Sequence, residues 1–175
     1  MKDIIKTITT KTFTLDELNE LSALLEKKKS EVNPYANLKS MSNKEFGESF
    51  SENLLCEKVK GLSHNNGAGH DLHSDKLGEL EVKSVRLPVK SGWTMNQVHP
   101  QDCDGFLFAF YDTVKGTEKF CYVPSDEILS NFSCCRQHTR EDGNPSCWSI
   151  HSSKKNEATL EKYYVGSFKE LCEIV

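Results

Sequence analysis

Asp71, Glu81 and Lys83 are the residues whose types and spacing could do chemistry together. Glu81 and Lys83 stand two apart in Glu79-Leu80-Glu81-Val82-Lys83-Ser84-Val85. That alternating run predicts a strand, so both side chains leave one face while Val82 enters the packed face. Asp75-Lys76-Leu77-Gly78 has turn composition, and a hairpin centred on Lys76 sets Asp71 directly opposite Glu81. Two carboxylates then meet beside one ammonium. Like charges facing each other across paired strands are destabilising and ask for a compensating cation. Oxygen ligands that leave coordination positions open suit Mg²⁺. An ion so held polarises a phosphate oxygen and acidifies a bound water, while Lys83 orients that water or stabilises the charge growing on phosphorus. The expected reaction is phosphodiester hydrolysis. Taken alone, Glu-x-Lys on an amphipathic strand is an ordinary exposed pattern, and a register slip of one residue would separate Asp71 from Glu81.

The elements that must position these groups are readable from periodicity. Thr14-Leu15-Asp16-Glu17 is a helix start, and Leu15, Leu18, Leu21, Leu24 and Leu25 follow helical spacing to Lys27-Lys28-Lys29. This stripe either faces the core or forms a dimer contact. Asn33-Pro34 to Lys39 reads as a linker, which divides the chain into a helical segment, 1–40, and a main domain, 41–175. Ser42-Asn43-Lys44-Glu45 is a capping box for a helix running to about Lys60 and ending at Gly61. Phe46, Phe50, Leu54, Leu55 and Val59 form its buried arc. At about 100° per residue, Glu48 falls on that arc, as a boundary residue or as an accessory acid aimed at the site together with Glu52. Gly61 to His70 has loop composition, and His70 to Ser74 is a short strand. Gly105 to Tyr111, GFLFAFY, is a nearly continuous apolar run expected of a central strand covered on both faces. Lys119 to Val123 is its expected hairpin partner, Pro124 opens a short helix, Trp148 to His151 is a further strand, and Ser167 caps a terminal helix.

The 175 residues carry a net charge of −4, which excludes binding to nucleic acid through overall cationic character. Between Glu81 and Asp102, however, there is no acidic residue, while Lys83, Arg86 and Lys90 are present. Such a stretch is either a solvated face or a local phosphate-tolerant surface. No apolar run reaches the roughly 18 residues of a membrane helix. Met1-Lys2-Asp3-Ile4-Ile5 lacks a secretory pattern, and the seven cysteines form no regular framework, so reduced thiols and a cytoplasmic setting are expected. Cys134, Cys135, His138, Cys147 and His151 could bind zinc, although their spacing matches no strong finger.

Asp71, Glu81, Val82 and Lys83 in this order resemble the PD-(D/E)XK nuclease superfamily, with His70 where the pattern has Pro. GHDLHSDKLGELEVKSVRLPVKSGW followed by FLFAFYD is similar to the PvuII-like type II restriction endonucleases over roughly Gly67 to Val123. The resemblance implies an α/β (α+β) fold with a restriction-endonuclease-like mixed sheet flanked by helices. It implies Asp71 and Glu81 as metal ligands joined by the Val82 carbonyl, and Lys83 as the catalytic lysine. It also implies double-stranded DNA as substrate, Mg²⁺ as cofactor, a homodimer and a cognate DNA methyltransferase. An acidic residue three before the Asp is replaced here by Ala68. The segment that reads the major groove in that branch corresponds to Trp93-Thr94-Met95-Asn96-Gln97-Val98-His99. Asn96 and Gln97 suit bidentate contacts to adenine, or serve as turn residues. Trp93 is a base contact or a core anchor. Thr94, His99, Arg86 and Asn66 complete the expected DNA surface. Two other readings stay open: a nicking, repair or junction-resolving nuclease, and a non-catalytic DNA-binding module stabilised by zinc.

Overall fold

The computed structural model describes residues 12–65, 70–139 and 145–175, and the side chains at 139, 145 and 146 are left aside. The first element, α1 (Leu15–Val32), starts on a capping box in which Thr14 Oγ1 accepts from the Glu17 N–H at 3.2 Å. A single 3₁₀ turn (Ala36–Ser40) follows, and then a helix whose first part, Glu45–Glu52, is in the wide π form. The helix continues as α2 (Asn53–Lys58). The strands are β1 (Leu62–His64), β2 (Leu72–Ser74), β3 (Gly78–Leu87), β4 (Thr94–Val98), β5 (Gly105–Asp112) and β6 (Thr117–Pro124). After α3 (Ser125–Asn131) come β7 (Cys134–Thr139), β8 (Pro145–His151), α4 (Lys154–Leu160), β9 (Tyr164–Gly166) and α5 (Phe168–Ile174).

Six strands form one mixed sheet in the order β1-β2-β3-β5-β6-β9, and three form a second sheet in the order β4-β8-β7. Only β3 and β5 run parallel in the larger sheet. The chain is therefore of the α+β class with a mixed sheet flanked by helices. Strand β5 explains why two layers cover this sheet. Leu107, Ala109 and Tyr111 enter a core with Phe46, Leu55, Leu80, Val82 and Leu171 on the helical side. Phe106, Phe108 and Phe110 enter a second core with Val85, Trp93, Met95, Val98, Ile128 and Ile150 on the small-sheet side. Each of the larger of these buried side chains contributes about 1.5–3 kcal/mol of transfer free energy, so an apolar run with no polar alternation can only lie between two layers.

Three expectations are corrected. Asn33 to Lys39 is no linker, because Tyr35 and Leu38 are buried at 4% and 1% exposure. The Asn33 side chain also donates to the Thr113 carbonyl at 2.9 Å. The loop expected from Gly61 contains a strand, since Leu62–His64 pairs with Leu72–Ser74. Finally, among the described residues α1 has none that is buried, and Leu15, Leu18, Leu24 and Leu25 are 49–74% exposed. Four of the five leucines of its apolar stripe thus do not face the core of the described residues.

Candidate active site

The register of the hairpin is the one that residue types demanded. Leu72 faces Leu80, His73 faces Glu79 and Ser74 faces Gly78, which centres the turn on Lys76. Gly78 adopts φ +77°, a left-handed conformation that glycine takes without steric cost. Asp71 lies one residue before β2, where the strand has already left β3. Its N–H donates to the Leu80 carbonyl at 3.2 Å. Its carboxylate Oδ2 accepts from the Val82 N–H at 2.7 Å, so the side chain takes over a ladder position that backbone no longer fills. Because a strand residue sends its N–H and C=O to the same edge, the Val82 carbonyl also faces the gap beyond β2.

Glu81 and Lys83 share one face of β3 and are paired, Nζ to Oε1, at 2.5 Å. Both side chains are largely covered, at 18% and 16% exposure. Val82 and Ser84 face the opposite way, toward the helix. There Ser84 Oγ donates to Ser51 Oγ at 2.5 Å, and Ser51 Oγ lies 3.1 Å from the Tyr111 hydroxyl. This buried hydroxyl chain docks the π segment on β3 and β5, and its next residue, Glu52, comes within electrostatic reach of the carboxylates. Glu52 is half-buried, and its carboxyl is pushed up to about 7, first by loss of water and then by the charges of Asp71, Glu48 and Glu81. Burial also raises Glu81, against the opposing pull of Lys83 and with a further push from Asp71. Negative charge thus exceeds what one lysine compensates at a partly buried position.

Glu48 is the residue that the helical wheel misplaced. It is exposed and lies 3.8 Å from Lys44 in an exposed ion pair. The reason is the π form over Glu45–Glu52, whose i→i+5 bonding gives a wider turn and less rotation per residue than an α-helix. Phase accumulated along that segment turns Ser51 and Glu52 toward the sheet and Glu48 toward water. The π segment itself carried no signal in the sequence.

The expected DNA-facing residues separate into groups. Arg86 is committed internally: it donates to the carbonyls of Leu38 at 3.0 Å and Met41 at 2.6 Å, and to Asn43 Oδ1. Its guanidinium lies 4.8 Å from the centre of the Phe46 ring. The fork closes the end of the 3₁₀ turn onto β3. Trp93 is a core residue, 8% exposed and edge-on to Phe110 at 5.8 Å. Asn96, Gln97 and Thr94 are exposed on β4, with Thr94 Oγ1 3.0 Å from His151 Nδ1. His99 lies 3.7 Å from Asp102 and close enough to Glu81 for its charge to act on that carboxylate. Asn66 and Ala68 lie outside the described residues.

The zinc constellation does not assemble. Cys134 and Cys135 are consecutive in a strand and so point to opposite faces, and His151 is held between Thr94 and Ser149, the latter at 2.9 Å. All seven cysteines are unpaired thiols. Among the described residues, no three His, Cys, Asp or Glu side chains form a group able to hold a metal ion. That excludes a ready-made cage. It leaves the donor set of Asp71, Glu81 and the Val82 carbonyl, which fits an ion that uses one or two carboxylates and keeps several waters, as Mg²⁺ does. No helix among the described residues is long and apolar enough to cross a membrane. No protein-family model matches the chain, and a search of curated proteins returns no match.

Proposed function

We propose that this chain is a Mg²⁺-dependent, sequence-specific endonuclease of restriction type, with a restriction-endonuclease-like core, cutting double-stranded DNA in the cytoplasm. The observation that carries this reading is the placing of Asp71, whose carboxylate accepts from the Val82 N–H, beside the partly buried Glu81–Lys83 pair where β2 begins. Asp71, Glu81 and the Val82 carbonyl would hold the ion, which when bound supplies a polarised phosphate oxygen and an acidified water. The protein's own residues do the rest. The Val82 N–H fixes the Asp71 carboxylate. Glu81 Oε1 holds the Lys83 ammonium on the same face, from which Nζ can donate to a phosphate oxygen as charge builds there.

One such site cuts one strand, so a palindromic target calls for two copies about a two-fold axis. The uncovered apolar stripe of α1 supports a homodimer. A cognate methyltransferase that protects host sites is the partner this activity requires. Digestion of unmodified plasmid with Mg²⁺, with Ca²⁺ as control, and mapping of the ends tests the reading. A fixed fragment pattern with 5′-phosphate ends is expected. Nicked circles or cutting at branched DNA would indicate a repair or resolving nuclease, and intact plasmid would end the proposal.

A further inference from the structure

The small sheet holds a second cluster, made of three amides. Its two outer strands both break register next to Trp148 of the middle strand: β4 between Met95 and Val98, opposite Ile150 to Trp148, and β7 between Arg136 and His138, opposite Trp148 to Cys147. Trp148 of β8 faces Val98 on one side and Arg136 on the other. Bulges re-aim side chains and are common next to functional sites. Here they turn Gln137 across β8 toward the β4 bulge. The Gln97 N–H donates to Gln137 Oε1 at 2.7 Å, and Gln137 Nε2 donates to Asn96 Oδ1 at 2.8 Å. Gln97 adopts φ 55°, which non-glycine residues seldom take and which surrounding contacts must hold.

This chain of bonds has a fixed polarity. A backbone N–H can only donate, so Gln137 must turn its oxygen to Gln97 and its amide nitrogen to Asn96. Asn96 must then accept through Oδ1, which leaves Nδ2 with its two N–H groups as the part available to a ligand. The Cys147 thiol, 3.9 Å from Gln137 Oε1, supports the same orientation. Asn96 lies three residues before His99, a span of at most about 10 Å, and His99 is within electrostatic reach of Glu81.

We infer that Gln137 is a positioning residue which orients Asn96 as a donor-only reading head, directed at the paired N7 and O6 acceptors of guanine in the major groove. This rests on the reading of the chain as a DNA endonuclease, and it changes the base expected from asparagine, since adenine presents one acceptor and one donor.

The test begins with the cut sequence from plasmid digestion. Duplexes carrying it are then cleaved by the wild-type chain, Asn96→Ala and Gln137→Glu. In Gln137→Glu the carboxylate still accepts from the Gln97 N–H but cannot donate, so Asn96 turns over, gives its amide hydrogen to it and presents Oδ1. Asn96→Ala should lose about 5- to 150-fold discrimination at one G·C pair, and 7-deazaguanine there should cost the wild-type chain a similar factor. Gln137→Glu should move preference at that same pair toward a base offering a donor, adenine N6 or cytosine N4. Uniform weakening on all sequences, effects at different pairs for the two variants, or an unchanged preference would overturn the inference. Wild-type protein that cuts no DNA would sink the endonuclease reading itself, an outcome distinct from cutting with unaltered preference. Gln137 is exposed, and matched melting curves verify that the variants fold.

Discussion

Replacing Glu52 by Gln should remove a pH-dependent penalty from the folded state. The Glu52 carboxyl moves from its ordinary 4.5 up to about 7 on folding, through burial and the charges of Asp71, Glu48 and Glu81. A carboxyl with a higher folded pKa holds its proton more tightly when folded, so ionising it opposes folding. The penalty is absent below about 4.5, grows as pH rises toward 7, and is constant above. Fully dry, that displacement would be worth about 3 kcal/mol. Glu52 is only half-buried, and water screening reduces the figure to about 1–2 kcal/mol. Urea unfolding in EDTA at pH 4.5 and pH 8 measures it. Wild-type stability should fall relative to Glu52→Gln between those two pH values, by that amount. Mg²⁺ should restore more stability to the wild-type chain at pH 8 than at pH 5, because the ion offsets carboxylate repulsion. Parallel pH profiles for the two chains would refute the claim that Glu52 shares a field with Asp71 and Glu81.

Asp71→Ala and Lys83→Ala should each reduce single-turnover cleavage by at least a hundredfold while leaving target binding in Ca²⁺ nearly intact; a loss of only a few-fold would remove them from the catalytic group. Arg86→Met keeps the aliphatic stem over Phe46 but deletes the fork that holds the carbonyls of Leu38 and Met41. It should cost about 2–4 kcal/mol in chemical denaturation, with an unchanged salt dependence of DNA binding, whereas a phosphate contact would lower that salt slope. Leu18→Glu with Leu25→Glu introduces charge into the uncovered stripe of α1 and should shift sedimentation from dimer to monomer without lowering the monomer's helix content. A wild-type chain that sediments as a monomer at high concentration would contradict the two-copy arrangement.

Short-range sterics acted within segments, and there the residues alone were sufficient. The alternation in Glu79 to Val85 put Glu81 and Lys83 on one face. The turn residues after Ser74 centred the hairpin on Lys76, and the unbroken apolar run of GFLFAFY marked a strand covered twice. The caps at Thr14, Ser42 and Ser167 were legible because a hydroxyl and a carboxylate three residues apart satisfy the same few N–H groups. Choices between distant segments needed the closed core. Arg86 could have met phosphate, but the 3₁₀ turn delivered two carbonyls to it from 45 and 48 residues away. Trp93 could have stacked on a base, but Phe110 and the small sheet enclosed it. Glu52 rather than Glu48 is drawn in toward the sheet because docking of Ser51 on Ser84 and Tyr111 accompanies a helix wider than α periodicity assumes. Gln137 acquired its partners 40 and 41 residues away only when two bulges brought β7 and β4 together over β8. Periodicity is set by neighbours along the backbone, whereas the partner of a long polar side chain is set by which buried surfaces close around it.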